Sequence, residues 1–153
     1  MNKIIFLDID GVIATDKEFF TNRTNFQKKF ELAKELNIPY GFNAKAVEVL
    51  NEILEATDAD IVLSSDWRFH WDLDELDKIF KFNGVTKSPI AITSKIKRKM
   101  SSELEDDRAH QIVEFKREHN LTKWVAIDDL DLSFSLGDHF FKTKSNMGIK
   151  QTG

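Results

Sequence analysis

Two aspartates one residue apart, Asp8 and Asp10, stand where an apolar run meets a glycine, in Asp8-Ile9-Asp10-Gly11-Val12. Bringing two carboxylates to one strand end is costly unless a cation offsets them. These residue types suit a carboxylate nucleophile, a second carboxyl group that moves a proton, and Mg²⁺ held by oxygen ligands. The same string alone also describes a surface turn, since Asp and Gly both favour turns. Three further clusters weigh against that plainer account. Ser64, with Ser65 beside it, follows the run Ile61-Val62-Leu63. A hydroxyl and main-chain N–H groups there can bind phosphate oxygens, and a serine there can equally cap a helix. Asp128-Asp129 close a third apolar run, Trp124-Val125-Ala126-Ile127, with two more carboxylates. Arg108 offers a fixed positive charge for a phosphate and a nucleophile, with Lys95 and Lys99 as substitutes and an ordinary helix surface as the alternative.

The elements that must position these groups are legible as periodicities. Lys3–Ile9, Asp60–Ser64 and Trp124–Asp128 are short, mostly β-branched runs ending in polar residues, the pattern of buried strands in a parallel sheet. Helical spacing recurs between them. Ala46, Val47, Leu50, Ile53 and Leu54 mark one helix, Leu73, Leu76, Ile79 and Phe80 a second, and Ile112, Val113 and Phe115 a third within about residues 107–119. Weaker strands are expected near Ile90–Ile92 and His139–Thr143. Strand alternating with helix predicts an α/β fold with helices on both faces of one parallel sheet. In such sheets ligands bind beyond the carboxyl ends of the strands, where all three acidic or hydroxyl clusters fall.

Composition narrows the class. The chain has 153 residues, a formal net charge of -4 and no cysteine. Thiol nucleophiles, disulfides and thiolate metal sites are therefore excluded, and a dedicated duplex-DNA binder is disfavoured. Thirteen Phe residues read mainly as packing volume. No run approaches the ~20 apolar residues of a membrane span, and the N-terminus lacks a secretory signal, so a cytoplasmic location is the simplest expectation. A single domain over residues 1–153 is expected, with residues 16–42 as a small insertion. Within it, Phe26, Phe30, Ala33 and Leu36 share one helical face.

The chain resembles the haloacid dehalogenase (HAD) superfamily over nearly its whole length. Asp8-Ile9-Asp10-Gly11-Val12 is similar to the family's first motif, Ser64 to its second, and Asp128-Asp129 to its fourth. Arg108 takes the place of the basic third motif, which has no fixed local signature. Leu63-Ser64-Ser65-Asp66-Trp67-Arg68 and Ile127-Asp128-Asp129 further resemble a small subgroup of phage and bacterial proteins, some fused to RNA-repair enzymes. The resemblance implies a Rossmann-like fold with a small cap or none. It also implies attack by Asp8 on phosphorus to give an aspartyl-phosphate, and proton transfer by Asp10. Mg²⁺ would sit on the Asp8 side chain, the Asp10 main-chain carbonyl and Asp128, with Asp129 near or in the shell. An acid at position 10 favours phosphate-ester chemistry, because relatives that split carbon–halogen or carbon–phosphorus bonds lack one there.

Small caps leave a site open to large substrates. The run Lys95-Ile96-Lys97-Arg98-Lys99 could hold a nucleotide or a nucleic-acid end, or be a solvated face. Trp67, Arg68, Phe69 and Trp71 could stack on a base or pack in the core, and Arg68 could pair with Asp66 or Asp72. The expectation is a Mg²⁺-dependent phosphatase acting on a phosphorylated small molecule or a nucleic-acid end, with no obligate protein partner. A phosphotransferase and a non-catalytic phosphate-binding module are the alternatives.

Overall fold

The computed structural model describes residues 3–15, 23–96 and 104–150, with the side chains of residues 23–26 excepted. Five strands form one all-parallel sheet: β1 (Lys3–Leu7), β2 (Asp60–Leu63), β3 (Ala91–Ile92), β4 (Lys123–Asp128) and β5 (Phe140–Lys142). Their order is β3-β2-β1-β4-β5, so the chain steps outward from β1 to β3 and then returns to the other side of β1. That reversal between β1 and β4 is the topological switch point, where such sheets open a crevice.

Alternation along the strands divides the core into two layers. Ile5, Leu7, Ile61, Leu63 and Ile127 face one side, packed with Ala46, Val47, Leu50 and Leu54 of α2 (Ala44–Thr57) and Leu76, Ile79 and Phe80 of α3 (Leu73–Phe82). Ile4, Phe6, Val62 and Ala126 face the other, against Ala109, Ile112 and Phe115 of α4 (Leu104–Glu118) and Leu136 of α5 (Ser133–Leu136). Helices thus cover both faces, as the strand–helix alternation predicted. Local sequence sets the helix ends. Asn43 caps α2 by accepting from the amides of Lys45 and Ala46, and Asp72 and Glu75 close a capping box on α3.

The first helix, α1 (Arg23–Leu36), lies between β1 and α2 in the chain. Of the face expected to be apolar, Ala33 is buried, whereas Phe30 and Leu36 are exposed; the Phe26 side chain lies outside the described residues. Asn83 at the end of α3 ties down the segment that follows α1. Its side chain accepts from the amides of Gly41 and Phe42 and donates to the Pro39 carbonyl. The Phe residues also divide more evenly than expected. Phe6, Phe42, Phe80 and Phe115 are buried, while Phe30, Phe69, Phe134 and Phe141 are exposed. No helix among the described residues is long and apolar enough to cross a membrane.

Candidate active site and metal centre

Strand register brings the chemistry together. Leu7 pairs with Leu63 on one side and with Ile127 on the other, so the next residues, Asp8, Ser64 and Asp128, leave three adjacent strands side by side. The Asp8 amide donates to the Ile127 carbonyl at 3.1 Å and the Ser64 amide to the Leu7 carbonyl at 3.0 Å, which fixes that level. Carboxylate oxygens of Asp8, Asp128 and Asp129 lie within 4.8 Å of one another. Asp8 and Asp128 are buried and Asp129 is half-buried.

Three carboxylates so close repel unless compensated, and one cation is built in. Arg108 Nη1 lies 3.4 Å from Asp8 Oδ2 and 3.2 Å from Asp128 Oδ2, while its Nη2 donates to Asp66 Oδ1 at 3.0 Å. Burial, then the adjacent Asp128 charge, pushes the Asp8 carboxyl up to about 9 against the pull of Arg108. Burial also raises Asp128, opposed by Arg108 and by the Leu130 amide. Burial works against the Arg108 charge, but Asp128, Asp8 and Asp66 outweigh it and raise the guanidinium overall. With all three ionised, one guanidinium against three carboxylates would leave an excess of two negative charges, which one divalent cation would neutralise. The donors are all hard oxygens, and they fit an ion such as Mg²⁺.

Gly11 makes this geometry possible. Its φ is +81°, and a Cβ built there would fall on the Asp129 carboxylate, 2.6 Å from Cγ. Gly11→Ala is therefore expected to cost about 1–3 kcal/mol of stability through backbone strain and also to displace Asp129. Thermal unfolding with and without Mg²⁺ reads both effects. A variant that is destabilised yet gains as much from Mg²⁺ as the wild type would remove Asp129 from the metal centre.

The serines separate into two roles. Ser65 Oγ accepts from the Trp67 amide at 3.2 Å and caps the 3₁₀ turn Asp66–Phe69, a bond that engages its lone pair and not its O–H. Ser64 Oγ is buried and, alone among the described buried side-chain polar atoms, has no hydrogen-bond partner. An orphaned hydroxyl at that strand end suits a ligand oxygen. Asp10 is exposed and its carboxylate stands outside the acidic triad, accepting instead from Trp67 Nε1 at 3.1 Å.

Arg68, expected to reach substrate, is turned inward and 2% exposed. Its Nη1 donates to the carbonyls of Ser64 (3.0 Å) and Ser65 (2.8 Å), and its Nη2 to Gln111 Oε1 (2.7 Å) and the Ser94 carbonyl (3.1 Å). It does pair with Asp66, at 3.7 Å. These bonds fix the strand-end loops. Of the basic run, Lys95 is exposed, and Lys97 and Lys99 lie outside the described residues. Arg108, not Lys95, is the cation at Asp8. It sits in the second turn of α4 rather than at the helix start, so the ion pairs hold it there and the helix dipole has little part. Asp66, Trp67 and Gln111 are site residues that motif reading did not single out in these roles.

Residues 4–152 match the family described as "HAD domain in Swiss Army Knife RNA repair proteins". The chain belongs to this family. The match spans nearly every described residue, and the five-stranded parallel sheet and the acidic strand ends agree with an HAD-type core. No match was found among curated proteins or among solved structures.

Proposed function

We propose that this HAD domain hydrolyses phosphate esters with Mg²⁺, through a phosphorylated Asp8, and that its substrate is a terminal phosphate on RNA or another polynucleotide. The observation that carries the reading is the crowding of Asp8 against Asp128 and Asp129 beside one guanidinium. A buried carboxylate in that setting is expensive to keep unless it meets a cation and an electrophile. Asp8, Asp128 and Asp129, with the Asp10 main-chain carbonyl, would hold Mg²⁺, which when bound neutralises charge on the phosphate and its surroundings.

Arg108 and the Ser64 hydroxyl orient the phosphoryl oxygens. An Asp8 oxygen forms a bond to phosphorus as the ester P–O bond breaks, and Asp10 gives its proton to the departing oxygen. Asp10, now ionised, takes a proton from water as that water attacks phosphorus, which frees inorganic phosphate and restores the Asp8 carboxylate. Arg108 holds Asp8 in place through both steps.

The family name supports a nucleic-acid end as substrate. So does the position of Lys95, between Ser94, whose carbonyl Arg68 holds, and Ile96, whose carbonyl accepts from Gln111 Nε2 at 3.1 Å. The basic run thus starts from a segment anchored to the Ser64 loop. The deciding experiment measures phosphate release from RNA oligonucleotides phosphorylated at the 3′ or 5′ end, sugar phosphates and an aryl phosphate, with Mg²⁺ or with EDTA. Mg²⁺-dependent release, fastest from the oligonucleotides, is expected. Equal or better turnover of sugar phosphates would overturn the choice of substrate, transfer to an added alcohol would indicate a phosphotransferase, and binding without release would reduce the domain to a phosphate-binding module.

A further inference from the structure

We propose that Trp67 is the positioning residue for Asp10, its indole N–H holding the carboxyl group that gives and takes the proton; this rests on the hydrolase reading above. An exposed aspartate has several side-chain rotamers within reach, and only some aim at a leaving oxygen. Asp10 is exposed, yet its Oδ2 accepts from Trp67 Nε1 at 3.1 Å, across 57 residues of chain.

The donor is itself held from several directions. The indole meets Phe42 edge-on at 5.8 Å between centroids, and Phe42 meets Phe80 in the same way at 5.7 Å, which roots the ring in the α3 layer of the core. The Trp67 amide donates to Ser65 Oγ, and its carbonyl accepts from the amides of His70 and Trp71, both at 3.0 Å. The residues on either side of Trp67 brace other parts of the site. Asp66 takes Arg108 Nη2, and Arg68 clamps the Ser64 and Ser65 carbonyls. A single 3₁₀ turn thus sets the positions of Asp10, Arg108 and the Ser64 loop relative to one another.

With Oδ2 committed to the indole, Oδ1 is the oxygen free to carry the proton. It delivers that proton to the departing oxygen in the first step and receives one from water in the second. The indole hydrogen stays on nitrogen throughout, so Trp67 exchanges no proton and is not a catalytic residue in its own right.

Trp67→Phe keeps a ring against Phe42 and removes the N–H. The first step is read by kcat/KM for two esters: an alkyl phosphate, whose poor leaving group needs the proton, and p-nitrophenyl phosphate, whose leaving group does not. General-acid catalysis contributes roughly 10²–10⁴, so misaiming Asp10 is expected to cost ~10-fold or more on the alkyl ester and less than about threefold on the nitrophenyl ester. In an Asp10→Asn background the same replacement should cost nothing further. Equal losses on both esters, or full additivity with Asp10→Asn, would overturn the positioning role while leaving the hydrolase reading intact. A wild type inert with Mg²⁺ toward both esters and toward phosphorylated RNA ends would overturn both.

The contact has a readout free of turnover, which serves if Trp67→Phe does not fold. The indole N–H resonance of Trp67, identified by exclusion with Trp71→Phe and Trp124→Phe, should move in Asp10→Ala, which removes the acceptor, while the other two stay. An unmoved Trp67 resonance would also overturn the proposal.

Discussion

Asp8→Asn should release no measurable phosphate from any ester, with kcat lower by roughly 10⁴ or more, the scale on which losing a covalent nucleophile is felt. The same variant, stripped of metal, should unfold at a higher temperature than the wild type near neutral pH. The two effects have one cause. Asp8 is buried at the end of β1 beside Asp128, and its carboxyl is pushed from 3.8 up to about 9. Below about pH 3.8 both folded and unfolded chains hold this proton, and the stability tied to it is fully present. As pH rises toward 9 the unfolded chain releases the proton while the folded chain keeps it, so stability is progressively lost. Asparagine has no proton to lose, and this slope vanishes. Urea or thermal midpoints in EDTA, taken across pH 5 to 8, should therefore fall more steeply for the wild type than for Asp8→Asn. Mg²⁺ should reverse the ranking, because it stabilises the carboxylate form and finds one ligand fewer in the variant. Retention of more than a few per cent of kcat would show that Asp8 is not the nucleophile.

Much of this site was legible because parallel strands deliver their ends to one edge. The three runs ending at Asp8, Ser64 and Asp128 are apolar and β-branched, and once β1 is flanked by the other two their ends must meet. The outer strands were fainter since β3 has two residues and β5 three, too few for a period to register. Which of the two buried serines keeps an unpartnered hydroxyl was not readable either. Ser64 and Ser65 are identical in type, and only the 3₁₀ turn after them, capped by Ser65, distinguishes the partnered hydroxyl from the unpartnered one of Ser64. The braces were hidden for a different reason. Trp67 meets Asp10 from 57 residues away, Asp66 meets Arg108 from 42, and Arg68 meets Gln111 from 43. No local spacing encodes such pairs; they follow from the crossovers that place α4 and the 3₁₀ turn at the same strand ends. Arg68 was readable either as a ligand contact or as a partner of Asp66, because arginine is usually a surface residue, and its pair with Asp66 is the one the fold forms. Here it is enclosed and directed at carbonyls, and burial together with the nearby Arg108 charge lowers its guanidinium to about 10, which leaves it charged at neutral pH.

Arg108→Met should lower stability, nearly abolish turnover and yet tighten Mg²⁺ binding. The guanidinium is buried and bridges Asp8, Asp128 and Asp66. Removing one partner of a buried ion pair typically costs about 3–5 kcal/mol, because the remaining charge is left uncompensated. Two of the three bridged carboxylates, on Asp8 and Asp128, belong to the triad suited to a metal, so Arg108 and a divalent cation share the same negative charge. Deleting the guanidinium raises the negative potential at the triad and removes a like charge from the ion's surroundings. Metal affinity should rise for that reason, and saturating Mg²⁺ should restore part of the lost thermal stability. Turnover should not return with it, since the phosphoryl oxygens lose their fixed donor and Asp8 loses its restraint. Calorimetric titration of Mg²⁺, beside rates at saturating metal, separates the two roles. Weaker Mg²⁺ binding in the variant would mean that Arg108 organises the carboxylates more than it competes for them. Undiminished rates would mean that it does not touch the reacting phosphate at all.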